Sequence, residues 1–312
     1  VFGRISSPDN PSKGEIAKTA NCEAASLVTT RVATATPAKD PYIPSLDGVR
    51  AVAFVIVLLS HTPGVTVVPG GLGVTIFFFL SGFLITTIMR LEFARTGTIS
   101  IRNFYVRRML RIFPPMYLAL AIGASLGFVG LLPGIPTWRG VLFEAAHLSN
   151  YFLIAGNQQE MVPGQRVFWS LAVEEHFYLF FPVVTLWLAR TFSTRRLVHA
   201  LIAAVLVVLL WRTTLLLVLD ATPVWLQHAT DTRIDSILFG AIMAFACNPI
   251  LDPPLLESPK HAALILIAAL LGLLLTAAPR SVLFQETGRY SVQGVLLVPI
   301  YYVLISRPRW PI

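Results

Sequence analysis

Arg107, Arg108 and Arg111 stand directly before Pro114-Pro115 and a long apolar stretch. Guanidinium groups offer a planar fork of donors that matches phosphate and carboxylate oxygens, so this run is a ready-made anion site. His61 lies inside another apolar stretch, eleven residues after Arg50. On a helix that spacing is about 16 Å and three turns, which puts both on nearly the same face. A third group is Phe168-Trp169-Ser170-Leu171-Ala172-Val173-Glu174-Glu175-His176-Phe177-Tyr178, where two adjacent acids open an apolar stretch. Adjacent helical residues diverge by about 100°, so one acid faces the interior and the other cannot serve the same site. Asp231 and Asp235 are spaced i, i+4 and can share a face, with Arg233 between them as a possible partner.

Each group has a plainer reading. A lone buried histidine can simply hydrogen-bond a neighbouring helix. A first-turn carboxylate can answer a helix dipole, tryptophan and tyrosine can form an interfacial belt, and Asp231 can cap a helix. Ionisable side chains inside lipid are expensive, however, and each is therefore a functional candidate.

The elements that must position these residues are membrane helices. Of 312 residues, 55% are hydrophobic and 13% charged, with a mean hydropathy of +0.71, outside the usual range of a soluble domain. Only structures that satisfy all their backbone hydrogen bonds internally survive in lipid, so the expected fold is an all-α polytopic bundle. Apolar runs predict spans near 49–68, 72–90, 114–132, 171–192, 197–219, 233–248, 261–278 and 291–306. The shorter run 141–155, with Glu144 and His147, is a ninth crossing or a re-entrant segment. Phe77-Phe78-Phe79-Leu80-Ser81-Gly82 places a small-residue gap in a bulky span and predicts close helix approach.

Charge sets the expected orientation. The segment 90–111 carries six arginines, and Arg190, Arg195 and Arg196 cluster at a later turn, so both belong to the cytoplasmic side. That leaves 133–170 outside, makes 141–155 re-entrant or interfacial, and puts both termini in the cytoplasm. The net charge of +8 follows the ends of apolar runs, and no basic domain with interleaved aromatics points to nucleic acid. Cys22 and Cys247 form neither a disulfide framework nor a metal-ligand pattern. Residues 1–41, rich in Ala, Thr, Ser and Pro without amphipathic period, read as a disordered cytoplasmic leader ahead of a transmembrane domain at 42–312.

Taken in order, SLDGVR with His61, FFFLSGFLI, RRMLRIFPPMY, FWSLAVEEHFY and DTRIDSILFG resemble the motif series of the acyltransferase-3 family of integral membrane acyltransferases. The resemblance runs from about residue 43 to 245. It implies transfer of an acyl group, often acetyl, from cytoplasmic acyl-CoA to hydroxyls of envelope carbohydrates or glycosylated acceptors, in the plasma (inner) membrane. It further implies that His61 is the catalytic histidine, that Arg50 is the arginine of an R-x10-H pattern, and that Arg108 and Arg111 form the donor-engaging RxxR pair.

Combined with the residue chemistry, the resemblance gives a working picture. Arg50, Arg108 and Arg111 hold the CoA phosphates, and His61 serves as general base or transient acyl carrier. Glu174 or Glu175 orients the imidazole or binds acceptor hydroxyls. Asp231, Arg233 and Asp235, with Trp169 and Tyr178, line the acceptor entrance. The expected partners are membrane lipid and a carbohydrate or lipid-linked glycan; no metal is expected. Where the family usually has glutamine, His176 stands. The family's later Gly-x-x-Ser-Tyr-like motif has only a faint echo in Gly288-Arg289-Tyr290-Ser291, which predicts a C-terminally incomplete bundle. Two other classes fit the apolar content: a proton-coupled transporter, and a non-catalytic receptor on the same scaffold.

Overall fold

The computed structural model describes residues 43–62, 64, 68–278 and 281–307; the leader at 1–41 lies outside the described residues. Proline in the first turn and Asp47 beside it favour the start of α1, Pro44–Ser60. There follow α2 (Gly70–Thr96), α3 (Ile101–Phe128), two short helices α4 (Trp138–Ala145) and α5 (Ser149–Ile154), and α6 (Phe168–Thr191). The chain continues through α7 (Thr194–Leu217), the short α8 (Pro223–His228), α9 (Thr230–Ala246) and α10 (Pro259–Leu275). A π-helical turn at Phe284–Gly288 leads into α11 (Arg289–Ser306).

Among the described residues, all regular structure is helical, and five helices are long and apolar enough to cross a membrane: α2, α3, α6, α7, and α11 with its π turn. The other apolar helices, α1, α9 and α10, have 17 residues each, at the lower limit of what spans a hydrocarbon core of about 30 Å. The run 141–155 forms the later part of α4 and the whole of α5, helices of 8 and 6 residues, both far shorter than a crossing needs.

At the centre, α2 packs on α9 through reciprocal small residues. A Cβ at Gly82 would lie 1.9 Å from the Ile237 carbonyl oxygen, and one at Gly240 would lie 2.0 Å from that of Phe79. The small-residue gap in FFFLSGF is thus a close backbone crossing. From the other side Tyr301 of α11 stacks on Phe79 and donates to the Ile76 carbonyl at 2.9 Å. Outward faces such as Leu206, Val207 and Leu210 on α7 stay exposed, as lipid-facing side chains do.

The arginine run departs from expectation. Helix α3 starts at Ile101, so Arg107, Arg108 and Arg111 sit on its early turns and not in a loop before a span at 114–132. Pro114 and Pro115 fall inside it and do not end it; in a lipid-embedded bundle the freed carbonyls find other partners, so an internal proline is tolerated. Two contacts gather the basic turns at one end of the bundle. Arg190 at the end of α6 donates to Thr98 in the α2–α3 turn at 3.3 Å, and Arg90 makes a two-bond pair with Asp252 after α9 at 2.8 and 3.1 Å.

Candidate active site

His61 follows directly on α1, at the end opposite that helix's start, and its side chain is exposed. Its Nδ1 lies 2.8 Å from the Val57 carbonyl and 3.2 Å from Ser60 Oγ. A carbonyl oxygen can only accept, so in the neutral ring Nδ1 carries the proton and Nε2 keeps its lone pair. The backbone thereby fixes the tautomer that leaves a base at Nε2.

Two cavities meet at this histidine. The first, about 250 Å³, is lined by His61, Trp169, His228, Arg233, Arg289 and Tyr290 together with neighbouring backbone and amide side chains. The second, about 230 Å³, is lined by His61, Trp169, Glu174 and apolar groups that include Phe54, Phe77 and Phe78. Trp169 and Val74 also border both. Helix α1 delivers the histidine, α2 the shared wall, α6 Trp169 and Glu174, and α9 and α11 the arginines.

In the second cavity Glu174 accepts from Ser81 Oγ at 2.9 Å and from the Tyr178 hydroxyl at 3.0 Å. Arg108 lies with its guanidinium carbon 4.1 Å from the centre of the Tyr178 ring, a cation–π contact. A continuous chain therefore runs from the cavity to the first arginine of the RxxR pair: Glu174, Tyr178, Arg108. Arg111 itself is exposed. Arg50 is taken up differently: it pairs with Asp47 one turn earlier on α1 and borders neither cavity.

The two adjacent acids separate as helical geometry requires. Glu174 faces the cavity; Glu175 does not, and its buried Oε1 has no hydrogen-bond partner. His176, where the family has glutamine, turns to a third direction, with Nδ1 2.7 Å from Thr230 Oγ1 and its ring stacked on Tyr151. Tyr178 is 2% exposed and serves as a donor to Glu174, so it lines neither cavity.

The DTRIDS cluster is rearranged most. Neither Asp231 nor Asp235 lines the cavities. Asp231 is held by the indole N–H of Trp211 at 2.7 Å, with that of Trp225 at 3.5 Å. Asp235 is fully buried and accepts from Arg212 at 2.7 Å and Ser291 at 3.1 Å. Arg233 thus loses its expected partner to Arg212, because side chains two residues apart point about 160° away from each other on a helix. It is 1% exposed, donates to Thr75 at 3.1 Å, lies 3.7 Å from the Tyr290 ring centre, and leaves its Nε without a partner. His228, on the short α8, is held below its ordinary value by burial, and Arg233 pushes it the same way. Arg212, Ser81, Arg289, Tyr290 and His228 are the participants that spacing along the chain does not disclose.

A helical bundle with a histidine between two cavities, one linked through Glu174 and Tyr178 to Arg108, is an arrangement suited to a membrane acyltransferase. Residues 43–310 match the acyltransferase domain family, acyltransferase-3, and the chain belongs to it. Among curated relatives, a Staphylococcus aureus (strain COL) protein with a provisional O-acetyltransferase name is 31% identical over 222 residues. That match covers 68% of this chain and 37% of the relative. O-acetyltransferase OatA of Staphylococcus aureus (strain NCTC 8325 / PS 47) is 32% identical over 219 residues, which is 67% of this chain and 35% of that protein. The chain therefore spans little more than a third of the length of these relatives. No solved structure matches it with significance.

Proposed function

We propose that this chain transfers an acetyl group from cytoplasmic acetyl-CoA to a hydroxyl of a carbohydrate or glycosylated acceptor of the cell envelope, within the plasma membrane. The observation that carries this reading is the position of His61, with Nδ1 tied to the Val57 carbonyl, at the junction of two chemically different cavities.

The apolar second cavity suits the acyl-pantetheine arm, which carries no formal charge, while Arg108 and Arg111 at the far end of the Glu174 chain suit the CoA phosphates. The first cavity takes the acceptor. Nε2 of His61 removes the acceptor hydroxyl proton as the oxygen attacks the thioester carbon; the carbon–sulfur bond breaks, and the departing thiolate takes that proton from the imidazolium. Glu174, held by Ser81 and Tyr178, is the fixed carboxylate on the donor side and positions the substrate against His61. In this reading eight helices cross the membrane, the basic turns lie in the cytoplasm with both termini of the chain, and the His61 end faces outward.

The test is transfer of label from acetyl-CoA into envelope glycan by membranes carrying the protein. His61→Ala is expected to lower the rate by about 10²–10⁴-fold, the usual worth of a general base. Arg111→Ala is expected to raise the KM for acetyl-CoA with a smaller change in kcat. Undiminished transfer by His61→Ala would remove the assignment, and transport without thioester consumption would favour a transporter.

A further inference from the structure

The first cavity carries a charge imbalance that acyl transfer to a neutral sugar does not require. Arg212, Arg233 and Arg289 all approach the ring of Tyr290, their guanidinium carbons 5.0, 3.7 and 5.0 Å from its centre. Two carboxylates lie in the same region, and neither borders the cavity. Asp235 is bonded to Arg212 and Ser291, and Glu286 receives both of its 3.1 Å bonds from Gln227. Arg233 and Arg289 line the cavity, and no carboxylate does.

Arg233 is the decisive group. A cation that is 1% exposed in a membrane bundle, with a neutral hydroxyl and the rings of Tyr290, Phe78 and Trp169 as its contacts and the nearby Asp235 bonded to Arg212 instead, is costly to keep. A ligand anion entering the cavity would complete it. Arg289, half-buried and 3.1 Å from the Tyr290 hydroxyl, supplies a second cation to the same space. Beside them the cavity offers the Trp169 indole, a flat apolar surface, and Oε1 of Gln293, which is buried without a partner; the Gln227 and Gln293 amide N–H groups are already given to Glu286 and Thr276.

We infer that this cavity recognises an acidic sugar, a saccharide bearing a carboxylate or phosphate, whose anionic group sits between Arg233 and Arg289. At about 250 Å³ the space is close to the lower bound of ligand pockets and suits one sugar ring with its charged group, not a nucleotide. The inference rests on the acceptor side of the proposed acyl transfer and narrows the acceptor from carbohydrate in general to an anionic one.

A binding experiment without acetyl-CoA separates this claim from the transfer reaction itself. Full-length protein in detergent is titrated with methyl glucuronide, glucose 6-phosphate and methyl glucoside, and affinity is read from ligand-dependent thermal stabilisation. At least one charged sugar is expected to bind ten-fold or more tightly than the neutral one. Arg233→Gln and Arg289→Gln are each expected to remove that preference. Arg289 is half-buried, so its variant keeps the experiment decisive if Arg233→Gln fails to fold. The two charged sugars distinguish a carboxylate from a phosphate. Equal affinity for charged and neutral sugars, binding of none of them, or an unchanged preference in Arg289→Gln overturns the inference. Displacement of the charged sugar by CoA would assign the cations to the donor and also overturn it. None of these results depends on whether His61 transfers an acetyl group.

Discussion

Two buried arginines touch the same tyrosine ring and each leaves its Nε without a partner, but only one of them holds a carboxylate. Arg212, 0% exposed, meets Asp235 at 2.7 Å, Ser291 at 3.1 Å and the Thr232 carbonyl at 2.7 Å. Arg233, also buried, has the Thr75 hydroxyl and the rings of Tyr290, Phe78 and Trp169, and it opens on a cavity beside His61. The first charge is consumed within the protein and ties α7, α9 and α11 together. The second is kept at a cost that folding does not recover. Burial alone therefore does not mark a functional arginine; a missing partner beside a cavity does.

The comparison breaks most sharply at Asp235. Asp235→Asn leaves Arg212 buried and uncompensated, and should destabilise the bundle by about 3–5 kcal/mol, read as the midpoint of thermal or denaturant unfolding in detergent. Arg212→Met in the same assay should cost as much, because it strands Asp235. Replacing both with apolar residues should recover most of the loss. Arg233→Met should behave in the opposite way, leaving stability unchanged or higher while abolishing the preference for charged sugars. If Arg233→Met were as destabilising as Arg212→Met, the two arginines would be equivalent structural groups and the distinction would fail.

A smaller effect belongs to Glu144, on α4 outside the spans, where an unpaired charge is managed by protonation. Burial raises this carboxyl to about 7, opposed by a 3.0 Å bond from the Val162 N–H. A carboxyl raised above its ordinary 4.5 binds more protons in the folded state. Stability should then fall as pH rises through that interval and level off above about 7. Glu144→Gln should flatten the dependence and be the more stable form at pH 8, followed by thermal unfolding across pH. An unchanged slope would show that another group sets it.

Periodicity and charge made much of this molecule legible. The apolar runs located the helices, the small pair Ser81-Gly82 announced the α2–α9 crossing, and adjacency on a helix separated Glu174 from Glu175. The eleven-residue spacing of Arg50 and His61 suggested one shared site, yet only His61 borders the cavities. It failed where partners lie far apart in sequence. Arg212 stands near the end of an apolar run, where an arginine ordinarily snorkels to the interface, and nothing local indicates that its head group meets Asp235 on another helix. Asp231 and Asp235 were expected at the acceptor entrance because i, i+4 acids share a face, yet each is claimed by a donor from elsewhere. Arg289 and Tyr290 lie in a weak motif, and only the packing of α11 against α9 brings them to the cavity.

In the proposed reaction Nε2 of His61, with Nδ1 held by the Val57 carbonyl, is the base for acyl transfer between the two cavities. The most direct measurement is the rate at which label leaves acetyl-CoA for acceptor in His61→Ala membranes, with and without added imidazole. Transfer should fall by at least about 10²-fold and recover in part with imidazole, which replaces the missing base. Transfer at the wild-type rate without imidazole would contradict that role.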